Sequence, residues 1–377
     1  MARRYTFLFF ALFICFFGCK EPDPKPQPPN LSNPPSSYDS IYEPSSYSIN
    51  VPFYLKKFKV PENNLTTNKG VELGRMLFYE KMLSIDNSVS CASCHKQELA
   101  FSDGNKVSIG IFNKKGSRSS MALNNLLWLD STFFWDGRAK SLEHQAMFPI
   151  QDSLEMGLSI NEMVSKLQKS KLYSLKFNAA FNTRIITSDL VFKALAQFER
   201  TLISLDSKYD KYILGNYSLT AQESRGMKLF LQHPIPGNNP AIRGGNCGDC
   251  HGGFLFTFNR FHVNGLDAVH VDLGRFNFTK NDADKGKMRA PSLRNIALTA
   301  PYMHDGRFNT LEEVLDHYSD HVQLSNTLDP LIREATNELG EKKLLLSSTE
   351  KKDIIAFLKI LTDSTFISNP NHSNPFK

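Results

Sequence analysis

Cys91-Ala92-Ser93-Cys94-His95 and Cys247-Gly248-Asp249-Cys250-His251 decide how the rest of this chain is read. C-x-x-C-H is the attachment pattern of a c-type haem. Two thiols add to the two vinyl groups of one porphyrin, and the adjacent histidine is placed to ligate the iron from its proximal side. The chain therefore carries two candidate haem c sites. His95 and His251 are their iron ligands, and Cys91, Cys94, Cys247 and Cys250 are the covalent attachment points. Two other uses of four cysteines stay open at this stage. Paired C-x-x-C motifs also hold structural zinc, although zinc has no need of a histidine directly after each pair. In an exported chain, four thiols also form disulfides.

The flanks of the two motifs repeat. Gly74-x-x-Leu77-Phe78 precedes Cys91, and Gly226-x-x-Leu229-Phe230 precedes Cys247, each closing an apolar pattern of helical period. Downstream, Phe198-x-x-x-Leu202 parallels Phe357-x-x-x-Leu361. Helix, C-x-x-C-H and closing helix form the plan of a small cytochrome c, and here the plan occurs twice. Few segments alternate with the period of a strand. The expected fold is all-α, two cytochrome c-like haem domains in tandem with few or no strands. The expected boundaries are 51–205 for the first domain, 206–365 for the second and 366–377 for a tail.

Composition agrees with a globular protein: 41% of the 377 residues are hydrophobic and 22% charged. The formal charge of +6 falls to +4 without Arg3 and Arg4, and no basic block of the kind that binds nucleic acid occurs. Those two arginines precede a largely apolar run, Tyr5–Phe17, which is too short to span a membrane. Gly18 and Cys19 follow, the arrangement of a lipoprotein signal with Cys19 as the acylated residue, so residues 1–19 read as an export signal. From 20 to 50 the chain is rich in proline and reads as an extended tether. The expected location is the periplasm-facing side or cell envelope, with the body tied to a membrane by its lipid.

Between and beyond the haem motifs stand Phe134-Trp135-Asp136-Gly137-Arg138-Ala139, Ser141-Leu142-Glu143-x-Gln145-Ala146 and Glu155-Met156. Further on come Ala290-Pro291-Ser292-Leu293-Arg294-Asn295, Leu298-Thr299-Ala300-Pro301-Tyr302-Met303-His304-Asp305-Gly306, Thr310-Leu311-Glu312-Glu313 and Tyr318. In these ordered motifs, from about Val51 to Thr362, the chain resembles the bacterial di-haem cytochrome c peroxidase family, which includes the MauG-type enzymes. The resemblance implies that the N-terminal haem is the peroxide site and that the C-terminal haem receives electrons from outside. It makes Glu155 the distal acid–base, Gln145 a distal hydrogen-bonding partner and Trp135 the aromatic between the haems. Splitting an O–O bond needs such a group, and a carboxyl whose pKa is raised by desolvation does this near neutral pH. Read locally, Glu155 is equally a solvated carboxylate, Gln145 a surface amide and Trp135 a core aromatic. The resemblance also implies a calcium between the domains, held by the backbone carbonyls of Thr299 and Pro301. Ser119 stands where the family carries asparagine, and a hydroxyl is the weaker ligand for a hard cation.

Two departures from the family shape the expected mechanism. Many members carry a loop histidine over the peroxide haem, whereas no histidine lies between His95 and His144. The expectation is a ferric haem already open to peroxide. Tyr318 occupies the position that holds methionine in ordinary members, as in MauG-type enzymes, and is expected to ligate the second iron, with Met303, His317 and His321 as rivals. The leading function is a peroxidase reducing hydrogen peroxide with electrons from a small cytochrome c or cupredoxin. A MauG-like oxidase, acting on a protein or organic substrate through a bis-haem high-valent state, is the alternative within enzymes. A non-catalytic electron carrier is the alternative outside them. A homodimer is the assembly in view.

Overall fold

A computed structural model describes residues 44–377, apart from 53–54, 56–57, 130, 237–242 and 342. The export signal and Cys19 lie outside the described residues. Residues 43–377 form one unit. Its first half runs through α1 (Asn68–Tyr79), the single turn α2 (Cys91–Cys94), α3 (Leu142–Gln151), α4 (Ile160–Lys169), α5 (Lys171–Phe181) and α6 (Ser188–Glu199). The second half continues with α7 (Lys208–Ile213), α8 (Ala221–Leu231), β1 (Phe261–His262), α9 (Phe276–Thr279) and β2 (Met288–Arg289). It closes with α10 (Leu311–Asp316), α11 (Pro330–Arg333), α12 (Ser348–Lys359) and α13 (Ser364–Ser368). Two residues of β1 pair antiparallel with two of β2, so the fold is all-α in all but this ribbon. Among the described residues no helix is long and apolar enough to cross a membrane.

Most of the longer helices begin where a side chain satisfies free amides. Thr67 accepts from the Gly70 amide at the start of α1, and Thr220 and Ser347 form capping boxes with Glu223 and Glu350 at α8 and α12. Each half is then organised by one close helix crossing. α1 meets α6 where a Cβ on Gly74 would lie 1.9 Å from the Ala194 carbonyl oxygen. α8 meets α12 where one on Gly226 would lie 1.8 Å from that of Asp353. Only glycine permits backbones this near, which is why the repeated Gly-x-x-Leu-Phe pattern carries the fold.

Around the crossings lie two cores. Leu73, Leu77 and Phe78 pack on Ala194, Leu195 and Phe198 in the first, and Phe230 packs on Ile354, Phe357 and Leu358 in the second. The packed body begins before and ends after the boundaries expected from composition. The Tyr47 amide donates to Thr66 (3.0 Å) and that of Asn68 to Ser45 (3.0 Å), so the stretch at 45–47 is paired rather than unpacked. The tail crosses back to the first half. Phe366 is buried in its core, and the Tyr79 hydroxyl donates to the His372 carbonyl at 2.7 Å. An apolar ring and available donors, neither visible in the tail's polar composition, draw it there.

Candidate active site

Each C-x-x-C-H motif is a helical turn that aims its histidine inward. Ser90 and Ser93 cap α2 reciprocally, and the His95 amide closes the turn on the Cys91 carbonyl at 3.0 Å. The His95 ring lies 2.8 Å, through Nδ1, from the Phe101 carbonyl, which accepts only, so Nδ1 carries the proton and Nε2 keeps its lone pair. This is the tautomer a haem iron requires, and the carbonyl fixes the ring's orientation. His251 repeats it: its amide donates to Cys247 (2.9 Å) and Nδ1 lies 3.0 Å from the Pro291 carbonyl. Burial lowers the pKa of both rings, that of His251 to about 4, so both are neutral and able to ligate. All four cysteines are free thiols, which removes the disulfide alternative. Among the described residues no three His, Cys, Asp or Glu side chains gather as a zinc site would need.

Over His95 opens a cavity of about 670 Å³, within the range of cofactor pockets. Its walls include Cys91, Cys94, Trp135, Gln145, Glu155, Glu199 and Arg289. The expected N-terminal set is thus brought together around one space. Ser141 caps α3, which carries Gln145, and α3 ends in a turn where the Glu155 amide donates to Asp152 at 3.0 Å. That turn is pinned from the loop that lacks the family's histidine. The Ile111 amide donates to the Glu155 carbonyl (2.8 Å), and Gly110 lies so close that a Cβ there would sit 2.1 Å from the Leu154 carbonyl oxygen. Glu155 consequently loses most of its hydration. Burial is the main cause that lifts its pKa to about 7, the Asp152 charge adds to the rise, and Arg138 opposes it.

Trp135 joins the halves. Its indole N–H donates to the Ser119 carbonyl (2.9 Å), its own carbonyl accepts from the Arg289 amide (2.7 Å), and its ring meets His304 edge-on at 6.5 Å. Arg118 braces the same seam, paired at 2.7 Å with both Asp136 and Asp272. Arg294 forms a buried ion pair with Asp210. Arg289 was not singled out by sequence. It is buried and donates to the Phe134 carbonyl, Asn259 and Met121 sulfur; among the described residues no carboxylate is hydrogen-bonded to it, burial lowers its pKa to about 10, and the Asp136 charge opposes that fall. A guanidinium buried in a cavity wall without an anion is a strong demand for one, which the carboxylates of a haem supply. The thiols, the neutral imidazole, the volume and this cation, which has no carboxylate of its own, together fit a haem c.

At the second site the chain widens after α10 into a five-residue π turn, His317–His321, a form often found where a helix is bent to serve a site. Tyr318 lies in it, partly buried against the second core, and desolvation pushes its hydroxyl up to about 12. The Asn264 amide donates to the Tyr318 oxygen (3.4 Å) and lies 3.5 Å from the Met303 sulfur, so both rival ligands converge on one residue. The histidine rivals are engaged elsewhere. His317 donates to the Asn264 carbonyl (3.0 Å) and His321 to that of Asp316 (3.0 Å). The expected calcium residues meet only in part. Ser119 is held against the 299–304 loop, its amide donating to His304 and its hydroxyl to the Met303 carbonyl, both at 2.8 Å.

The family model for di-haem cytochrome c peroxidases matches residues 68–218. The methylamine utilization protein MauG of Methylorubrum extorquens is 36% identical over 305 residues, 80% of each chain. The cytochrome c551 peroxidase of Nitrosomonas europaea is 33% identical over 322 residues, 84% of this chain and 85% of that one. Among solved structures, a MauG-like protein associated with microbial copper homeostasis superposes with a TM-score of 0.77 at 34% identity, over 88% of this chain and all of that one. With these similarities spanning both haem motifs, the chain belongs to the di-haem cytochrome c peroxidase and MauG family.

Proposed function

We propose that this protein is an exported di-haem peroxidase that reduces hydrogen peroxide to water at the His95 site. Its electrons would come from a small cytochrome c or cupredoxin and enter at the His251 site. The observation that carries the reading is Glu155: a desolvated carboxyl, poised near neutrality, opening with Gln145 into the cavity above His95. A plain electron carrier has no use for an acid–base group there.

When bound, the haem supplies an iron that coordinates peroxide and accepts and passes on electrons. Glu155 in its ionised form takes the proton of the peroxide oxygen nearer the iron and returns it to the departing one. Gln145 offers its amide to hold the peroxide in line. Arg289 would pair with a carboxylate of the bound haem, and its amide ties Trp135 to the second half. With Ile111 in place of a loop histidine, the Glu155 turn is held ready and no ligand has to leave before peroxide enters.

A second reading, a MauG-like oxidase of a protein or organic substrate, is favoured by Tyr318. A phenolate is a hard anionic ligand that lowers an iron's potential relative to a thioether and makes the second site a better store of oxidising equivalents. We assign Tyr318 over Met303 as that ligand. Calcium at Ser119, Thr299 and Pro301 would require the Ser119 hydroxyl to turn a lone pair to the ion while it donates to the Met303 carbonyl. Lipidation of Cys19 and a homodimer belong to the proposal as well.

The test is peroxide-dependent oxidation of a reduced small cytochrome by the fully ferric, haem-loaded protein. Turnover without prior reduction supports the peroxidase. If several donors give no turnover and peroxide instead produces a long-lived change in the haem spectrum, the oxidase reading replaces it.

A further inference from the structure

Four acidic side chains line the His95 cavity: Asp136 is paired with Arg118 and Arg138, Asp152 is exposed, and the two glutamates, Glu155 and Glu199, carry no ion pair among the described residues. Glu155 reaches it from the turn after α3, and Glu199 from the last residue of α6. Glu199 is only 5% exposed, yet among the described residues its carboxyl has no hydrogen bond and no ion pair. The neighbouring guanidinium, Arg200, turns instead to Glu143 on α3, which also accepts from Asn64 (2.6 Å). The Cys91 thiol on α2 also feels the Glu199 charge, and haem attachment converts it to a neutral thioether; His95, Glu155 and Arg289 line the same cavity. A carboxyl buried with no donor loses the hydration of its anion and gains nothing in return, so it holds its proton. Burial is the main cause that lifts Glu199 to about 8, with Glu143 adding to the rise and Arg200 opposing it.

We propose that Glu199 is the redox-linked proton site of this cavity, binding a proton from solvent when an electron reaches the haem held by His95 and releasing it when that electron leaves. A ferric haem carries one more positive charge than a ferrous one. In a water-poor cavity that charge acts strongly on a nearby carboxylate, so Glu199 binds its proton more weakly in the oxidised state than in the reduced one. The role fits the balance of the proposed reaction, in which one peroxide, two electrons and two protons give two waters. Glu155 only relays the peroxide's own proton, and the two consumed protons need a group that takes one from solvent as each electron arrives and gives it up to the oxygen being reduced as that electron leaves. The inference rests on a haem at His95 but not on peroxide being the substrate.

The experiment is a spectroelectrochemical titration of the His95 haem in the loaded protein between pH 6 and 10, for wild type, Glu199→Gln and Glu155→Gln. Wild type should fall in potential with rising pH, approaching the limit of one proton per electron, about 59 mV for each tenfold change in proton concentration. Glu199→Gln should be flat over the alkaline part of that range, while Glu155→Gln keeps it and Glu199→Asp shifts it. A Glu199→Gln profile that superposes on wild type overturns the proposal. If Glu199→Gln fails to load haem, reduced-minus-oxidised infrared spectra of the Glu155→Gln protein decide: a protonated-carboxyl band is expected, and its absence overturns the assignment. Failure of the peroxidase reading shows separately, as lack of peroxide consumption with the pH-dependent potential intact.

Discussion

The two halves repeat one scaffold down to individual rings. Phe78 stands 5.3 Å from Phe198 and 5.9 Å from Phe101; Phe230 stands 5.2 Å from Phe357 and 5.9 Å from Phe256. In each half the third ring belongs to a residue whose carbonyl receives the haem histidine, Phe101 for His95 and Phe256, at 3.3 Å, alongside Pro291 for His251. The crossing helices, the glycine between them and the histidine's tautomer are thus shared. What differs is what the intervening chain delivers. The first half brings an acid, an amide and a loop that desolvates the acid. The second brings Tyr318 and Met303 to a single asparagine. The scaffold holds a haem, and the inserted segments decide whether the site does proton chemistry or carries electrons.

Replacing Glu155 by glutamine is the severest test of that division. The substitution keeps shape and removes the base, so peroxide consumption should fall by about 10²–10⁴-fold, while electron uptake at the His251 site is unchanged. The sign of the pH dependence follows from its role. Proton removal needs the carboxylate, and a pKa lifted to about 7 makes the wild-type rate rise as pH passes through that value. Stopped-flow peroxide kinetics should find this rise in wild type and lose it in the variant. The shared scaffold is tested by Phe198→Ala and Phe357→Ala. Each should cost about 3–5 kcal/mol in chemical denaturation, because both rings are fully buried. A large loss in one and none in the other would break the claimed equivalence.

The scaffold was legible because its signals are local. Two pentapeptides, two glycines and two phenylalanines at helical spacing specify where backbones must approach. Glu155, Gln145 and Trp135 could be aligned with family motifs, but their surroundings could not be read. Glu155 is desolvated by a loop more than forty residues earlier, through backbone groups of Gly110 and Ile111 that leave no side-chain pattern. Arg289 and Glu199 sit within ordinary-looking runs, and only tertiary packing reveals that one lacks an anion and the other a donor. The return of Phe366 to the first core was hidden for the same reason. Its ring meets Phe101, far earlier in the chain, at 5.5 Å.

Gly110→Ala probes the device that sets the halves apart without touching a reacting group. The added methyl must displace the Leu154–Glu155 backbone, and a shift of about an ångström at a catalytic group costs up to about 10²-fold. The rate should fall while the haem spectra and the second site stay as they were. A wild-type rate would mean that the loop does not position the acid.

The smallest expected effect on peroxide chemistry, and the sharpest on the second half, comes from Tyr318→Phe. Tyr318 shares no hydrogen-bond partner with Glu155, so the first encounter with peroxide should proceed nearly unchanged, as expected for independent sites. The ferric spectrum of the His251 haem should change, and its potential should rise, because a hard anionic donor that favours ferric iron has gone. If Met303, held at the same Asn264 amide, is the ligand instead, the ferric spectrum will be indifferent to Tyr318 and sensitive to Met303→Leu. That outcome would move the second half toward a simple electron entry site. It would also remove the feature that favours the oxidase reading, leaving Glu155 to carry the functional assignment.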